Sequence, residues 1–132
     1  NLNKETDKGS IIVIIATDAP LDSRQLKRVA KRAQIGIGRT GSYGGNGSGD
    51  IMLAFSTSNK IKHYEEHKEE SISRIHDSDI EIIFKATVEA TEEAVLNSML
   101  CSKGVKSYKG IYYKSLTEYK ELYEELLEDT NL

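Results

Sequence analysis

The chain has little of several things that would define its class at once. It contains a single cysteine, Cys101, so an internal disulfide and a cysteine-based zinc site are both excluded. It contains one proline, Pro20, and no tryptophan. Charge of one sign is also lacking. Lys and Arg number 18 against 21 Asp and Glu, a formal charge of −3, which gives no bulk electrostatic argument for nucleic acid. No apolar run approaches the roughly 18 residues of a membrane span, and the first residues lack the apolar core of a signal peptide. A chain of 132 residues is at most one domain. These absences point to a soluble, cytoplasmic protein with no membrane or nucleic-acid partner.

What is present begins with "KETDKGSIIVIIATDAP". Residues 1–9 are polar and charged and read as a flexible segment. Ile11 to Ala16 then form an unbroken apolar run, the pattern of a strand over 11–17 buried on both faces and central in a sheet. Burying each Ile or Val is worth roughly 1.5–3 kcal/mol. Pro20 ends the strand, and Asp22 with Gln25 has the spacing of a capping box. Leu26, Val29, Ala30, Ala33 and Ile37 recur at helical spacing, with Arg24, Lys27, Arg28, Lys31 and Arg32 on the other side.

Residues 36–50, "GIGRTGSYGGNGSGD", hold seven of the ten glycines, too many for a regular element. A second strand is expected over 51–57, then an irregular polar arm over 58–76. Ser78 with Glu81 suggests a capping box opening a long helix to about residue 102. Its apolar stripe is Ile80, Ile83, Phe84, Val88, Val95 and Met99, with Gly104 in the C′ position beyond it. A short strand or turn near "GIYYK" leads to a last helix from Leu116, with Tyr119, Leu122, Tyr123, Leu126 and Leu127 as its stripe.

Several patterns could carry chemistry. Gly36, Gly38 and Gly41 spell G-x-G-x-x-G, but a dinucleotide site places that motif between a strand and a helix, and here it follows a helix. No G-K-[ST] occurs. The glycine-rich segment is then a plain linker or a site loop that lets backbone N–H groups approach a reacting group. His63 and His67 stand at i, i+4 among glutamates, but no H-E-x-x-H occurs and the surroundings read as a solvated face, so no metal and no cofactor is expected. Cys101 reads as a small hydrophobe beside the long helix's stripe.

Ser10 is different. A serine after a glycine, at the start of a strand, can be freed at its own α-amine if the bond before it is cut. That amine, with an ordinary pKa near 7.7–8, can take the proton of the same residue's hydroxyl. Gly9 leaves the preceding carbonyl open to attack by that hydroxyl.

The runs "GSIIVIIATDAPLDSRQLKRVAKRAQIGIGRTGS", "GNGSGDIMLAFSTSN" and "VEATEEAVLNSML" resemble the DmpA-type aminopeptidases, the L-aminopeptidase/D-esterases and β-peptidyl aminopeptidases. The resemblance covers most of residues 9–104 and is weaker over "SLTEYKELYEELL". It implies a precursor that cleaves itself at Gly9–Ser10, leaving Ser10 as catalytic nucleophile. It implies Ser48 as a second active-site serine and Asp50 as the acidic residue two positions on, where the family more often has Glu. It implies an α/β fold, half of a four-layer αββα sandwich of the N-terminal-nucleophile-like, DmpA/ornithine acetyltransferase type. The other half would come from an N-terminal α chain of the same precursor, which supplies an oxyanion-hole Asn and a nearby Tyr. On this reading residues 10–132 are a β-chain portion, inactive alone, of a tetrameric homo-oligomer acting on peptides, amides or esters. The alternative is a non-catalytic relative, or a phosphate-binding module using loop 36–49.

Overall fold

The computed structural model describes residues 9–64 and 67–119. The chain divides into two units, with the boundary between Glu92 and Glu93. In the first, β1 (Ile12–Thr17) and β2 (Ile51–Ser56) pair in parallel, joined through α1 (Ser23–Arg39). The register runs from Ile12↔Ile51 to Thr17↔Ser56. Parallel neighbours need a crossover, and α1 provides it.

The Asp22–Gln25 box forms as expected. Asp22 accepts the Gln25 N–H at 2.7 Å, and Gln25 Oε1 accepts the Asp22 N–H at 3.2 Å. Val29, Ala33 and Ile37 are buried on the helix face that the spacing selected. Gln25 is buried too, and its amide reaches the Ile75 carbonyl at 2.9 Å and Asp77 at 2.8 Å. The return of the 58–76 arm is thereby pinned to the start of α1. A second clamp joins Asn59 to the Ser73 backbone by two hydrogen bonds of 2.9 Å.

The sheet departs from expectation on one point. One face, carrying Val13, Ile15, Met52 and Ala54, is half-buried, and α1 packs against β2. On the other face Ile12, Ile14, Ile51, Leu53 and Phe55 are exposed, Ile12 at 67% and Ile14 at 63%. β1 is therefore not buried on both faces in this chain. Its apolar run has the composition of a doubly covered strand, but among the described residues no layer covers the second face.

The glycine-rich segment also departs. α1 continues through Gly36 and Gly38 to Arg39, where Thr40 N–H and Oγ1 close on the Ile37 carbonyl. Tertiary contact overrides propensity at Gly36. A Cβ there would stand 2.6 Å from the Val88 carbonyl oxygen and 2.8 Å from Thr91 Cβ. Val88 and Thr91 belong to α2 (Glu81–Cys101), so only glycine lets the two helices approach this closely. Arg28 and Arg32 lie over the Phe84 ring at 5.1 and 4.1 Å, and Arg39 pairs with Glu92 at 3.0 Å.

Ser78 does not open α2 in the way expected. It lies in a 3-10 turn, Asp77–Asp79, and the Ile83 and Phe84 N–H groups both close on the Ile80 carbonyl. Ile80 and Val88 of the expected stripe are buried, and Ile83 and Phe84 half-buried.

The second unit carries a small antiparallel hairpin, β3 (Val105–Lys106) and β4 (Tyr112–Tyr113). Gly104 is not a helix-ending C′ residue with positive φ. Its role is close approach: a Cβ would collide with the Tyr112 hydroxyl and Glu118 carboxylate. Cys101 is exposed, so it is not the buried small hydrophobe expected. A capping box forms at Ser115 and Glu118, opening a 3-10 turn at Leu116–Glu118. Leu122, Tyr123, Leu126 and Leu127 of the expected last helix lie outside the described residues, as do residues 1–8 of the expected flexible segment. No helix among the described residues is long and apolar enough to cross a membrane.

Candidate active site

The parallel register builds the site. Both strands begin at the same edge of the sheet, and the Ile51 N–H donates to the Ile11 carbonyl at 2.9 Å. The offset of 39 residues that pairs Ile12 with Ile51 also sets Ser10 beside Gly49. Gly49 N–H donates to Ser10 Oγ at 3.0 Å. One residue further along, Ile11 N–H donates to Asp50 Oδ1 at 3.2 Å. The same Asp50 oxygen accepts a short hydrogen bond from the Ser48 hydroxyl. Ser48 is itself held in a turn, its N–H donating to the Gly45 carbonyl at 2.9 Å.

Ser10, Ser48 and Asp50, 38 and 40 positions apart in sequence, thus meet at one edge with Gly9 beside them. They line a cavity of about 270 Å³ together with Gly9, Ile11, Ile37 and Ser42. Ser42, Gly49 and Ile37 escaped the sequence reading. Ser42 is one more small polar residue in a glycine-rich loop, and nothing in its spacing marks it. Gly49 contributes through its backbone, which sequence does not advertise. Its glycine character is not needed to admit Ser10, because a Cβ there would lie 3.6 Å from Ser10 Oγ, an ordinary contact.

The loop's glycines do other work. Gly41 and Gly44 adopt φ of 100° and 64°, the left-handed region that turns the chain from α1 back toward β2. Gly36 and Gly38 sit inside α1, so the literal G-x-G-x-x-G is split between a helix and a turn and is no phosphate cradle.

The electrostatics favour a cation. The last turn of α1, at Ile37, borders the cavity and presents the partially negative end of a helix dipole. Asp50 adds a carboxylate, and no cation pairs with it among the described residues. A hydroxyl held by a fixed donor, next to a carboxylate–hydroxyl pair, is suited to nucleophilic attack assisted by an amine. No group of three metal-ligating side chains gathers among the described residues, and 58–76 contains no helix in those residues to set His63 and His67 on one face.

Comparison with known proteins gives the fold and the family. Two solved structures share the fold. The chain superposes on the PH0078 protein from Pyrococcus horikoshii OT3 with a TM-score of 0.80, at 50% identity, covering 93% of this chain and 34% of that one. It superposes on the L-aminopeptidase D-Ala-esterase/amidase of Ochrobactrum anthropi, described as a variant of the Ntn hydrolase fold, with a TM-score of 0.74 at 38% identity, covering 83% of this chain and 31% of that one. The fold class is therefore that of the N-terminal-nucleophile hydrolases. The profile of Peptidase family S58 matches residues 1–112, and the chain belongs to that family. It is 44% identical over 102 residues to the beta-peptidyl aminopeptidase BapA of Sphingosinicella microcystinivorans, covering 77% of this chain and 26% of the relative. The chain spans about a quarter of the length of that relative and about a third of the two solved structures.

Proposed function

We propose that this chain is the nucleophile-bearing portion of a self-processing N-terminal-serine aminopeptidase. The observation that carries the reading is the convergence of Ser10, Ser48 and Asp50 at the shared edge of β1 and β2, directly after Gly9. In the precursor the Ser10 hydroxyl attacks the Gly9 carbonyl, and the acyl group passes from nitrogen to oxygen. Water then cleaves the ester, leaving a Gly9 carboxylate and a free Ser10 amine. In the mature protein that amine takes the Ser10 hydroxyl proton as Oγ attacks the substrate carbonyl. Ser48 and Asp50 orient the amine, and the dipole end of α1 and the Asp50 charge favour its cationic form after proton transfer.

The relatives name the substrate range. One is a beta-peptidyl aminopeptidase, the other an L-aminopeptidase and D-Ala-esterase/amidase. For this chain we assign the class they share, the release of N-terminal amino acids from peptides, amides or esters. The exposed face of Ile12, Ile14, Ile51, Leu53 and Phe55 supports a second sheet laid over it by an N-terminal α chain of the same precursor. Such a layer would complete the αββα sandwich, in a cytoplasmic homo-oligomer. While the Gly9–Ser10 bond is intact the amine is blocked, so the uncut chain is inactive.

The test uses the complete protein. Release of p-nitroaniline from aminoacyl p-nitroanilides is expected to vanish in Ser10→Ala. Selective acetylation of the Ser10 amine in the mature wild type is expected to abolish it as well. Full turnover after verified acetylation would remove the amine as base.

A further inference from the structure

We propose that the Gly49 backbone N–H is a catalytic donor to Ser10 Oγ, acting in the half-reaction in which that oxygen leaves an ester. The inference rests on the reading of Ser10 as nucleophile. Its geometry comes from the strand register: the N–H of Gly49 meets Ser10 Oγ at 3.0 Å, while the neighbours Ser48 and Asp50 are engaged with each other and with Ile11 N–H.

A backbone N–H can donate but cannot take a proton, so it is no base for the hydroxyl. Its value depends on the charge of the oxygen it faces. In the ester, Oγ is a weak acceptor. In ester cleavage the water oxygen bonds to the acyl carbon and its proton passes to the Ser10 amine. The carbon–Oγ bond then breaks, its electron pair stays on Oγ, and the ammonium returns a proton there. As charge develops on Oγ the hydrogen bond becomes charge-assisted, about twice as strong as a neutral one. An interaction that strengthens only as the bond breaks lowers the barrier of that step. The first acyl group to pass through it is the chain's own Gly9.

The site permits a clean test. Gly49 is not in the left-handed region, and a Cβ there would meet Ser10 Oγ at 3.6 Å. Gly49→Ala therefore keeps the donor, whereas Gly49→Pro removes it. Self-cleavage of the complete precursor is followed by mass, with and without hydroxylamine, which attacks esters more readily than water does. Gly49→Ala, which keeps the N–H, is the reference for the change of side chain. Gly49→Pro is expected to cleave about 10–10²-fold more slowly, the scale of one hydrogen bond to a charged group. Hydroxylamine should restore its cleavage and leave Gly9 as a hydroxamate. If Gly49→Pro lacks the native circular dichroism spectrum, replacing Gly49 by glycolate removes the same N–H without changing the side chain; its rate is compared without hydroxylamine, which would also cut the backbone ester so introduced. Cleavage of the donor-less protein at the Gly49→Ala rate would overturn the proposal. So would slow cleavage that hydroxylamine does not restore, because the loss would then precede the ester. Absence of any cut at Gly9–Ser10, in the wild type as well and with hydroxylamine present, would instead overturn the nucleophile reading beneath it.

Discussion

Two aspartates mark the two ends of α1, and their surroundings differ in kind. At the N-terminal end, Asp77 accepts the buried Gln25 amide at 2.8 Å, takes Arg24 through both oxygens at 2.8 Å, and has Arg28 at 3.4 Å and Arg74 at 3.8 Å. Its accepting capacity is used, and no cavity adjoins it among those described. At the C-terminal end, Asp50 accepts Ile11 N–H and Ser48 Oγ, has no cation among the described residues, and opens on a cavity of about 270 Å³. Both clusters are polar and hydrogen-bonded. A closed, charge-compensated cluster fixes a loop; an open one keeps a carboxylate available to a cation, which in the proposed mechanism is the freed Ser10 ammonium.

Breaking the open cluster is expected to have the largest effect. In the mature complete protein, Ser48→Ala or Asp50→Asn should lower amide hydrolysis by about 10²–10⁴-fold, the range for a positioned acid–base partner. Asp77→Asn, measured in the same steady-state assay, should leave turnover near wild type. If Asp77→Asn cost as much as Asp50→Asn, the distinction between the clusters would be lost.

Stability should respond in the opposite sense. Gly36→Ala places a methyl against the Val88 carbonyl and Thr91, an overpacking that costs about 1–3 kcal/mol, read as a lower urea midpoint. At the closed cluster, Gln25→Leu leaves the Ile75 carbonyl without its donor and removes half of the capping box. The expected loss is about 1–3 kcal/mol. Asp50→Asn, in contrast, should barely move the midpoint.

The smallest effect is the acid dependence. Gln25 first, then Arg24, hold the Asp77 carboxyl below the usual carboxylate range. A depressed folded-state pKa gives stability that is full above the unfolded value, about 3.9, and is lost as pH falls through the lower folded one. Asp77→Asn should flatten that part of the stability profile, and salt should weaken the Arg24 pairing, because both side chains are about half exposed. An unchanged acid limb in Asp77→Asn would assign the dependence to other carboxylates.

Much of the fold was legible because it is written in local pattern. The apolar runs of β1 and β2, the Asp22–Gln25 box and the periodicity of α1 are short-range signals, and all appear in the structure. Illegible were the features decided by distant contact. A glycine stands at 36 inside the helix because Val88 of α2, 52 positions later, passes against it, and Ser78 lost its cap to a 3-10 turn tied to Gln25. The exposed face of β1 could not be read from β1, since its residues suit a cover whether or not the chain provides one. In the site, Ser10 was marked by its place after Gly9 at the head of an apolar run, Ser48 and Asp50 only through a family resemblance, and the strand offset explains why they meet. Which backbone N–H of the glycine-rich loop meets Ser10, and that Ser42 joins the site, carried no sequence signal.

The central claim is that Ser10 becomes a chain terminus. The most direct measurement is intact mass with N-terminal sequencing of the complete protein and its Ser10→Ala variant. The account predicts two fragments in the wild type, the second beginning at Ser10 with a free amine, and one uncut chain in the variant. A wild type with the Gly9–Ser10 bond intact in its active form, or a variant that still splits there, would contradict it.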